Sequence, residues 1–193
     1  HIPGLVVVVP STPADNRGLL KTAIRSDDPV VYFEHKNIWG FEGEVAEDET
    51  LIPFGKGRLE REGDDITIVS WSAQMHVAGK AAALLQAQNI SVELIDLRTL
   101  WPWDRQMVFD SVEKTGRLLI THESVSVGGF GAEIAATVSE RLFSVLKAPV
   151  IRCAAPRVPI SYAPPLEDKV RVSSKQIVEA AEKLVNTSSN DNR

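Results

Sequence analysis

Ile66-Thr67-Ile68-Val69-Ser70-Trp71, then Ser72 to Gln88, then Val92-Glu93-Leu94-Ile95-Asp96-Leu97, is the stretch that decides the fold class. The first and last runs are short, apolar and rich in β-branched residues, as strands are. Gly63-Asp64-Asp65 supplies a turn ahead of the first run. Between the runs, Val77, Ala81, Leu84 and Leu85 recur at helical spacing, and Ser72 stands where a helix N-cap belongs. A strand, a helix and a strand in succession form a unit whose strands run parallel, because the crossover returns the chain to the same edge of the sheet.

Outward toward the C-terminus the alternation repeats. Asp104 caps a helix carrying Met107, Val108 and Val112, and Gly116 ends it. Arg117 to Thr121 is a strand, Gly131 to Leu142 a helix, Val150 to Cys153 a short strand, and Ser173 to Leu184 a closing helix. Ser161-Tyr162-Ala163-Pro164-Pro165-Leu166-Glu167 is proline-rich and reads as extended along a surface. Toward the N-terminus, Leu5 to Val9 is the kind of continuous run buried on both faces. Pro10 stops it, Ser11 or Thr12 can cap the next helix, and Pro13 suits its first turn. Leu19, Leu20, Ala23 and Ile24 keep helical spacing, and Val30 to Phe33 is a second strand. The pattern predicts an α/β fold: a three-layer α/β/α domain with a mostly parallel sheet, preceded by a fragment of a second α/β domain. The expected boundaries are 1–36 for the fragment, 37–50 for a linker, 51–185 for the main domain and 186–193 for a polar, disordered tail.

Composition narrows the function classes. The 193 residues are 44% hydrophobic and 24% charged, ordinary for a globular chain. The net charge of −5, with no basic cluster, argues against nucleic acid and anionic membrane as partners. No apolar run approaches the ~20 residues that span a bilayer. Cys153 is the single cysteine, so an internal disulfide is impossible, and beside a strand it reads as a small buried hydrophobe. The chain opens on His1 and enters a strand at once, so an upstream portion is expected.

Four features could carry chemistry or contacts. Gly128-Gly129-Phe130-Gly131 opens a helix after a strand, where an anion can sit, but the third glycine of the dinucleotide fingerprint is missing. A tight turn that lets the helix pack closely is the better reading. His122-Glu123 lies at a strand's carboxyl end, yet adjacent strand residues point to opposite faces, so the pair cannot serve one pocket; His122 reads as a hydrogen-bonded interface histidine. Asp96-Leu97-Arg98-Thr99-Leu100-Trp101-Pro102-Trp103-Asp104 combines charge with large aromatics, which suits a subunit interface or a buried Arg98–carboxylate pair flanked by core rings. The acidic cluster Glu42, Glu44, Glu47, Asp48 and Glu49 reads as a solvated face, and His35 and His76 are isolated, without a second ligand at zinc spacing. No Gly-x-Ser-x-Gly elbow, P-loop or Cys-x-x-Cys is present.

The order of short motifs then carries a resemblance. His1-Ile2-Pro3-Gly4-Leu5, Pro10-Ser11-Thr12-Pro13-Ala14-Asp15, Gly18-Leu19-Leu20, Asp28-Pro29-Val30 and Glu34-His35-Lys36 come first. Ile52-Pro53-Phe54-Gly55-Lys56, Glu62 to Thr67, Asp96 to Asp104, Ser111 to Arg117 and Ala163-Pro164-Pro165-Leu166-Glu167 follow. Together they resemble the β subunit of a thiamine-diphosphate-dependent 2-oxo acid dehydrogenase, with the end of its pyrimidine-binding domain and its transketolase-type C-terminal domain. Leu100 to Asp104, Gly116 to Glu123 and Gly128-Gly129-Phe130 look closer to branched-chain members than to pyruvate or acetoin members.

The resemblance implies oxidative decarboxylation of a 2-oxo acid with acyl transfer to a lipoyl group. It implies an α subunit, a second β subunit (α2β2) and a lipoyl acyltransferase core as partners. Thiamine diphosphate and Mg²⁺ belong to the full complex and are not held by these residues; the family's activating carboxylate and active-site histidine fall upstream of His1, so no catalytic residue and no cofactor ligand is assigned here. A structural K⁺ ion is implied at carbonyls matched by Ala23, Ile24, Ser26 and Asp28, with its other ligands upstream, so that in this chain alone the site is expected to be empty or water-filled. Ser26 replaces a usual aspartate and Asp28 a usual asparagine. Arg98, Trp101, Trp103, His122 and Tyr162 are the expected interface residues. The compartment would be cytoplasmic in a bacterium and the mitochondrial matrix in a eukaryote. The rivals are a transketolase or deoxyxylulose-phosphate synthase C-terminal domain, a docking module without a catalytic parent, and a nucleotide-binding domain using Gly128 to Gly131.

Overall fold

The computed structural model describes residues 1–187. Its elements, in chain order, are β1 (Val6–Val8), α1 (Pro13–Ile24), β2 (Val30–Tyr32), a 3-10 turn (Lys36–Ile38), β3 (Arg58–Arg61), β4 (Ile66–Ser70), α2 (Ala73–Gln86), β5 (Val92–Asp96), β6 (Thr99–Trp101), α3 (Arg105–Thr115), β7 (Leu118–Val125), α4 (Gly131–Leu142), β8 (Ile151–Ala155), α5 (Pro164–Val170) and α6 (Ser174–Asn186). A five-stranded sheet runs β3-β5-β4-β7-β8, and only β3 is antiparallel to its neighbour.

Helices cover both faces of this sheet. Ile66 and Ile68 of β4 join Met75, Ala78 and Leu85 of α2 and Ile177 and Ala181 of α6. Val69, one residue out of phase, joins Val108 and Val112 of α3 and Ile134 and Val138 of α4. The period of two along the strand therefore feeds two separate cores, and every residue of β4 and β5 is buried. This is the three-layer α/β/α arrangement with a mostly parallel sheet that the alternation predicts. The expected helix stops hold too. Thr12 accepts from the Asp15 amide, Asp104 from the Met107 amide, and Gly116 takes a left-handed φ of 72° after α3; beyond what was expected, Ser173 and Gln176 form a reciprocal capping box.

A second, three-stranded sheet has the order β2-β1-β6, with β1 parallel to β2 and antiparallel to β6. After β5 the chain leaves the main sheet at Arg98, whose φ of 58° turns it toward β1, and the Val9 amide donates to the Arg98 carbonyl at 2.9 Å. The N-terminal segment is thus stitched to the main domain by backbone pairing. No strand was expected at Arg58–Arg61 or Thr99–Trp101: one is charged at three of its four positions and lies at a sheet edge, the other is three residues between a charged turn and a proline.

Several expectations are corrected. Pro164–Val170 is a helix, because Pro-Pro fills its first turn, where amides have no intrahelical acceptor anyway. Ser72 makes no side-chain cap and sits at φ 51°, and α2 stops at Gln86. Leu84 is exposed while Ala78 and Ala82 carry the buried face, because small residues let α2 approach the sheet. In the first strand only Val8 and Val9 are fully buried, since this small sheet has less cover than the main one. Asn186 still belongs to α6 and Thr187 closes it; the rest of the expected tail lies outside the described residues. No helix among the described residues is long and apolar enough to cross a membrane.

Candidate functional site

The start of α1 is built into an ionic cluster. Asp15, only 2% exposed, lies in the first turn of α1; its Oδ1 is 2.6 Å from Arg98 Nη2, and its Oδ2 accepts from Thr12 Oγ1 at 2.8 Å. Arg58 stands between two carboxylates, with Nε 3.5 Å from Asp15 and Nη2 3.3 Å from Asp96. Asp96 has no exposed surface and also accepts from the Ser11 hydroxyl and the Arg98 amide. Burial lifts its carboxyl above the ordinary value, while the Ser11 and Arg98 hydrogen bonds and the Arg58 charge pull the other way. A carboxylate from α1 and one from β5 thereby share Arg58, while Asp15 also pairs with Arg98. The buried Arg98–carboxylate pair that the Asp96–Asp104 stretch suggests is present, with Asp15 as the carboxylate.

Above it, a cavity of about 430 Å³ opens at the carboxyl ends of β1 and β2, lined by Ser11, Thr12, Asn16, Arg17, Glu34 and Trp39 among others. That end of parallel strands is where α/β sheets place ligands. His76 reaches the Ser11 carbonyl at 2.9 Å and meets Phe41 edge-on at 4.6 Å. His35 lines this cavity and a neighbouring one of about 410 Å³, and pairs with Glu123 at 2.7 Å. The arrangement can hold and orient a polar ligand or a partner segment. Among the described residues no group of three or more His, Cys, Asp or Glu converges to hold a metal ion.

The expected residues fall in three places. Ala23, Ile24, Ser26 and Asp28 end α1 and form the turn before β2; the Ala23 carbonyl already accepts from the Ser26 amide at 3.3 Å, and Asp28 donates to Ser26 Oγ at 3.2 Å. Trp101 and Tyr162 are exposed, Tyr162 completely, while Arg98 is committed to Asp15. Trp103 and His122 lie inside the chain, 4% and 0% exposed, so neither offers its side chain to a partner. Instead His122 stacks on Trp71 at 5.2 Å, and its Nδ1 meets Ser124 Oγ at 2.8 Å. Burial holds its pKa below the ordinary 6.5, because desolvation disfavours the charged imidazolium. His122 and Glu123 point to opposite faces, as strand geometry requires: one is buried, the other pairs with His35. The Gly128–Gly131 turn wraps the ring, since a Cβ on Gly131 would stand 2.5 Å from His122 Nε2. Gly129 and Gly131 serve close packing, and Gly128 supplies the positive φ of the turn. Cys153 is partly buried against the α2/α6 core, and burial pushes its thiol up to about 11.

Residues 55–177 match the transketolase C-terminal domain model and residues 1–40 the transketolase pyrimidine binding domain model. The chain is 45% identical over 185 residues to the acetoin:2,6-dichlorophenolindophenol oxidoreductase subunit beta of Cupriavidus necator, covering 96% of this chain and 55% of that protein. It is 50% identical over 153 residues to 2-oxoisovalerate dehydrogenase subunit beta 2, mitochondrial, of Arabidopsis thaliana, covering 79% and 43%. The chain thus spans about half the length of these curated relatives. Among solved structures, a split-gene transketolase, an inactive β4 tetramer, superposes with a TM-score of 0.79 at 26% identity over 97% of this chain and 59% of that one. The chain therefore belongs to the transketolase C-terminal domain family, and carries ahead of that domain a segment matching the transketolase pyrimidine binding domain.

Proposed function

We propose that this chain is the C-terminal part of the β subunit of the decarboxylating component of a 2-oxo acid dehydrogenase complex. The observation that carries the reading is the likeness, over 95% of the chain at 42% identity, to the pyruvate dehydrogenase E1 component subunit beta of Rickettsia bellii. Residues 1–36 are then the end of the pyrimidine-binding domain, 37–50 a linker, and 51–185 the C-terminal domain. The parent reaction is oxidative decarboxylation of a 2-oxo acid with acyl transfer to a lipoyl group. Branched-chain 2-oxo acids are favoured over pyruvate and acetoin by the motifs from Leu100 to Phe130; the relatives' names include both 2-oxoisovalerate and acetoin enzymes.

Thiamine diphosphate with Mg²⁺, held by the α subunit and the upstream half of β, supplies the carbanion chemistry. This chain's residues position. The Asp15–Arg98–Arg58–Asp96 cluster fixes the first turn of α1, and with it the Ser11, Thr12 and Asn16 wall of the cavity at the strand ends. Trp101 and Tyr162 offer exposed aromatic surface to the α subunit, the second β subunit or the acyltransferase core. Ala23, Ile24, Ser26 and Asp28 contribute carbonyls to a K⁺ shell completed by upstream residues.

Assembly of the full-length β subunit with its α partner, assayed with 3-methyl-2-oxobutanoate, pyruvate and acetoin, tests the reading. The branched-chain acid should give the highest kcat/KM. A pair that leaves all three unchanged contradicts the assignment.

A further inference from the structure

We infer, independently of the β-subunit reading, that the seam between the two sheets is a proton-linked latch: Asp96 stays neutral inside it while Asp15, Arg58 and Arg98 carry its charge. Among the described residues, three carboxyl groups, those of Asp15, Glu60 and Asp96, meet two guanidiniums, those of Arg58 and Arg98. With all five ionised one negative charge is left over, and one proton balances it.

The geometry assigns that proton to Asp96. Arg98 Nη2 lies 2.6 Å from Asp15, and Arg58 turns Nη1 to Glu60 and Nε to Asp15 at 3.5 Å. Asp96 is left with Arg58 Nη2 at 3.3 Å, against the ~2.7–2.9 Å usual between charged partners. It has no exposed surface, whereas the Glu60 side chain is 42% exposed and water can answer its charge. A buried carboxylate so weakly partnered takes up a proton instead. Burial is the first cause that lifts the Asp96 carboxyl, and the Asp15 charge adds to it. Ser11 gives the neutral form a partner. Its Oγ lies against Asp96 Oδ2 and 3.4 Å from Arg58 Nη2, so one hydroxyl oxygen can accept from both. Asp96 Oδ1 accepts from the Arg98 amide at 3.0 Å. Two further titratable groups stand one step back: His76 of α2 on the Ser11 carbonyl, and Asp104 across Gly57.

Closing the seam therefore takes one proton from solvent. A carboxyl raised in the folded state stabilises fully at acid pH, and that contribution is lost as pH rises through its folded value. Once Asp96 ionises, it repels Asp15 inside the seam. The Val9–Arg98 backbone tie then opens more readily, and with it β1 and the Ser11 wall of the cavity.

Hydrogen exchange in β1 and α1 of the full chain, from pH 5 to 8 and corrected for the intrinsic pH dependence of exchange, tests the latch against Asp96→Asn. Asparagine copies the neutral carboxyl, with an oxygen for the Arg98 amide and an N–H for Ser11 Oγ. The ratio of protection factors, Asp96→Asn over wild type, should rise with pH by up to about tenfold per unit. His122 is present in both proteins and drops out of the ratio. A rise of more than twofold across the window supports the latch. A ratio flat within twofold, or falling, makes Asp96 an ordinary ion-pair partner of Arg58 and overturns it. Should Asp96→Asn not fold, NMR of the Asp96 carboxyl carbon in wild type labelled with ¹³C-aspartate decides. The shift of the protonated form at pH 5 supports the inference, and that of the carboxylate overturns it.

Discussion

Replacing Gly131 with alanine sets two effects of opposite sign against each other. Alanine is the better helix former, by about 1 kcal/mol in a helix interior and by less at the first residue of α4. Its Cβ, however, would stand 2.5 Å from His122 Nε2, 2.7 Å from Cδ2 and 3.1 Å from Ile120 Cγ2. The ring has nowhere to go: it is fully buried, stacked on Trp71 and held at Nδ1 by Ser124. Overpacking of that kind costs about 1–3 kcal/mol. A net loss of ~1–2 kcal/mol follows, a fall in Tm of roughly 2–8 °C for a chain of this size. Gly79, within α2, has no atom within 4 Å of an added Cβ, so Gly79→Ala should instead stabilise by about 0.5–1 kcal/mol. Urea unfolding followed by far-UV circular dichroism reads both variants. In a His122→Ala background the Gly131→Ala cost should shrink to under about 0.5 kcal/mol, a coupling that only contact between the two positions produces. Gly131→Ala as stable as wild type, or equally costly with and without the imidazole, refutes the reasoning.

Other outcomes follow from the same geometry. Because the folded pKa of His122 lies below 6.5, the unfolded state binds the extra proton first; stability is full above pH 6.5 and falls below it, by at most about 1.4 kcal/mol per pH unit, and His122→Asn should flatten that slope in unfolding measured from pH 5 to 8. Arg98→Met leaves Asp15 buried beside only the more distant Arg58, which should cost about 3–5 kcal/mol and speed hydrogen exchange in α1. Arg117 donates to the carbonyls of Leu184, Val185 and Asp65, so Arg117→Met should cost roughly 2–3 kcal/mol and fray the last turn of α6 first, again by hydrogen exchange.

The main sheet was legible because its strands and helices keep separate periods, and because caps such as Asp104 and stops such as Gly116 act through neighbouring residues alone. What the sequence hid was long-range. β6 reads as a turn, since nothing within Thr99–Trp101 announces that β1, some ninety residues earlier, supplies its partner. A buried partner for Arg98 could be expected from the sequence, but that it is Asp15, with Arg58 and Asp96 joining in, shows only once the topology brings the two sheets together around them. The same holds for Trp103 and His122. Their types suited an interface, yet α3 and the Gly128–Gly131 turn enclose them. Pro164-Pro165 pointed to extended chain, although proline at the first turn is also a helix opening.

On the proposed reading, this polypeptide shapes and closes an active centre whose reagent other segments hold. Calorimetric titration of the purified 193-residue chain with thiamine diphosphate and Mg²⁺, run beside the same titration of the assembled α and full-length β subunits, tests that directly. No saturable heat from the chain and tight binding by the assembly is the result expected. Stoichiometric capture of the cofactor by the chain alone, at a Kd comparable to that of the assembly, would contradict it.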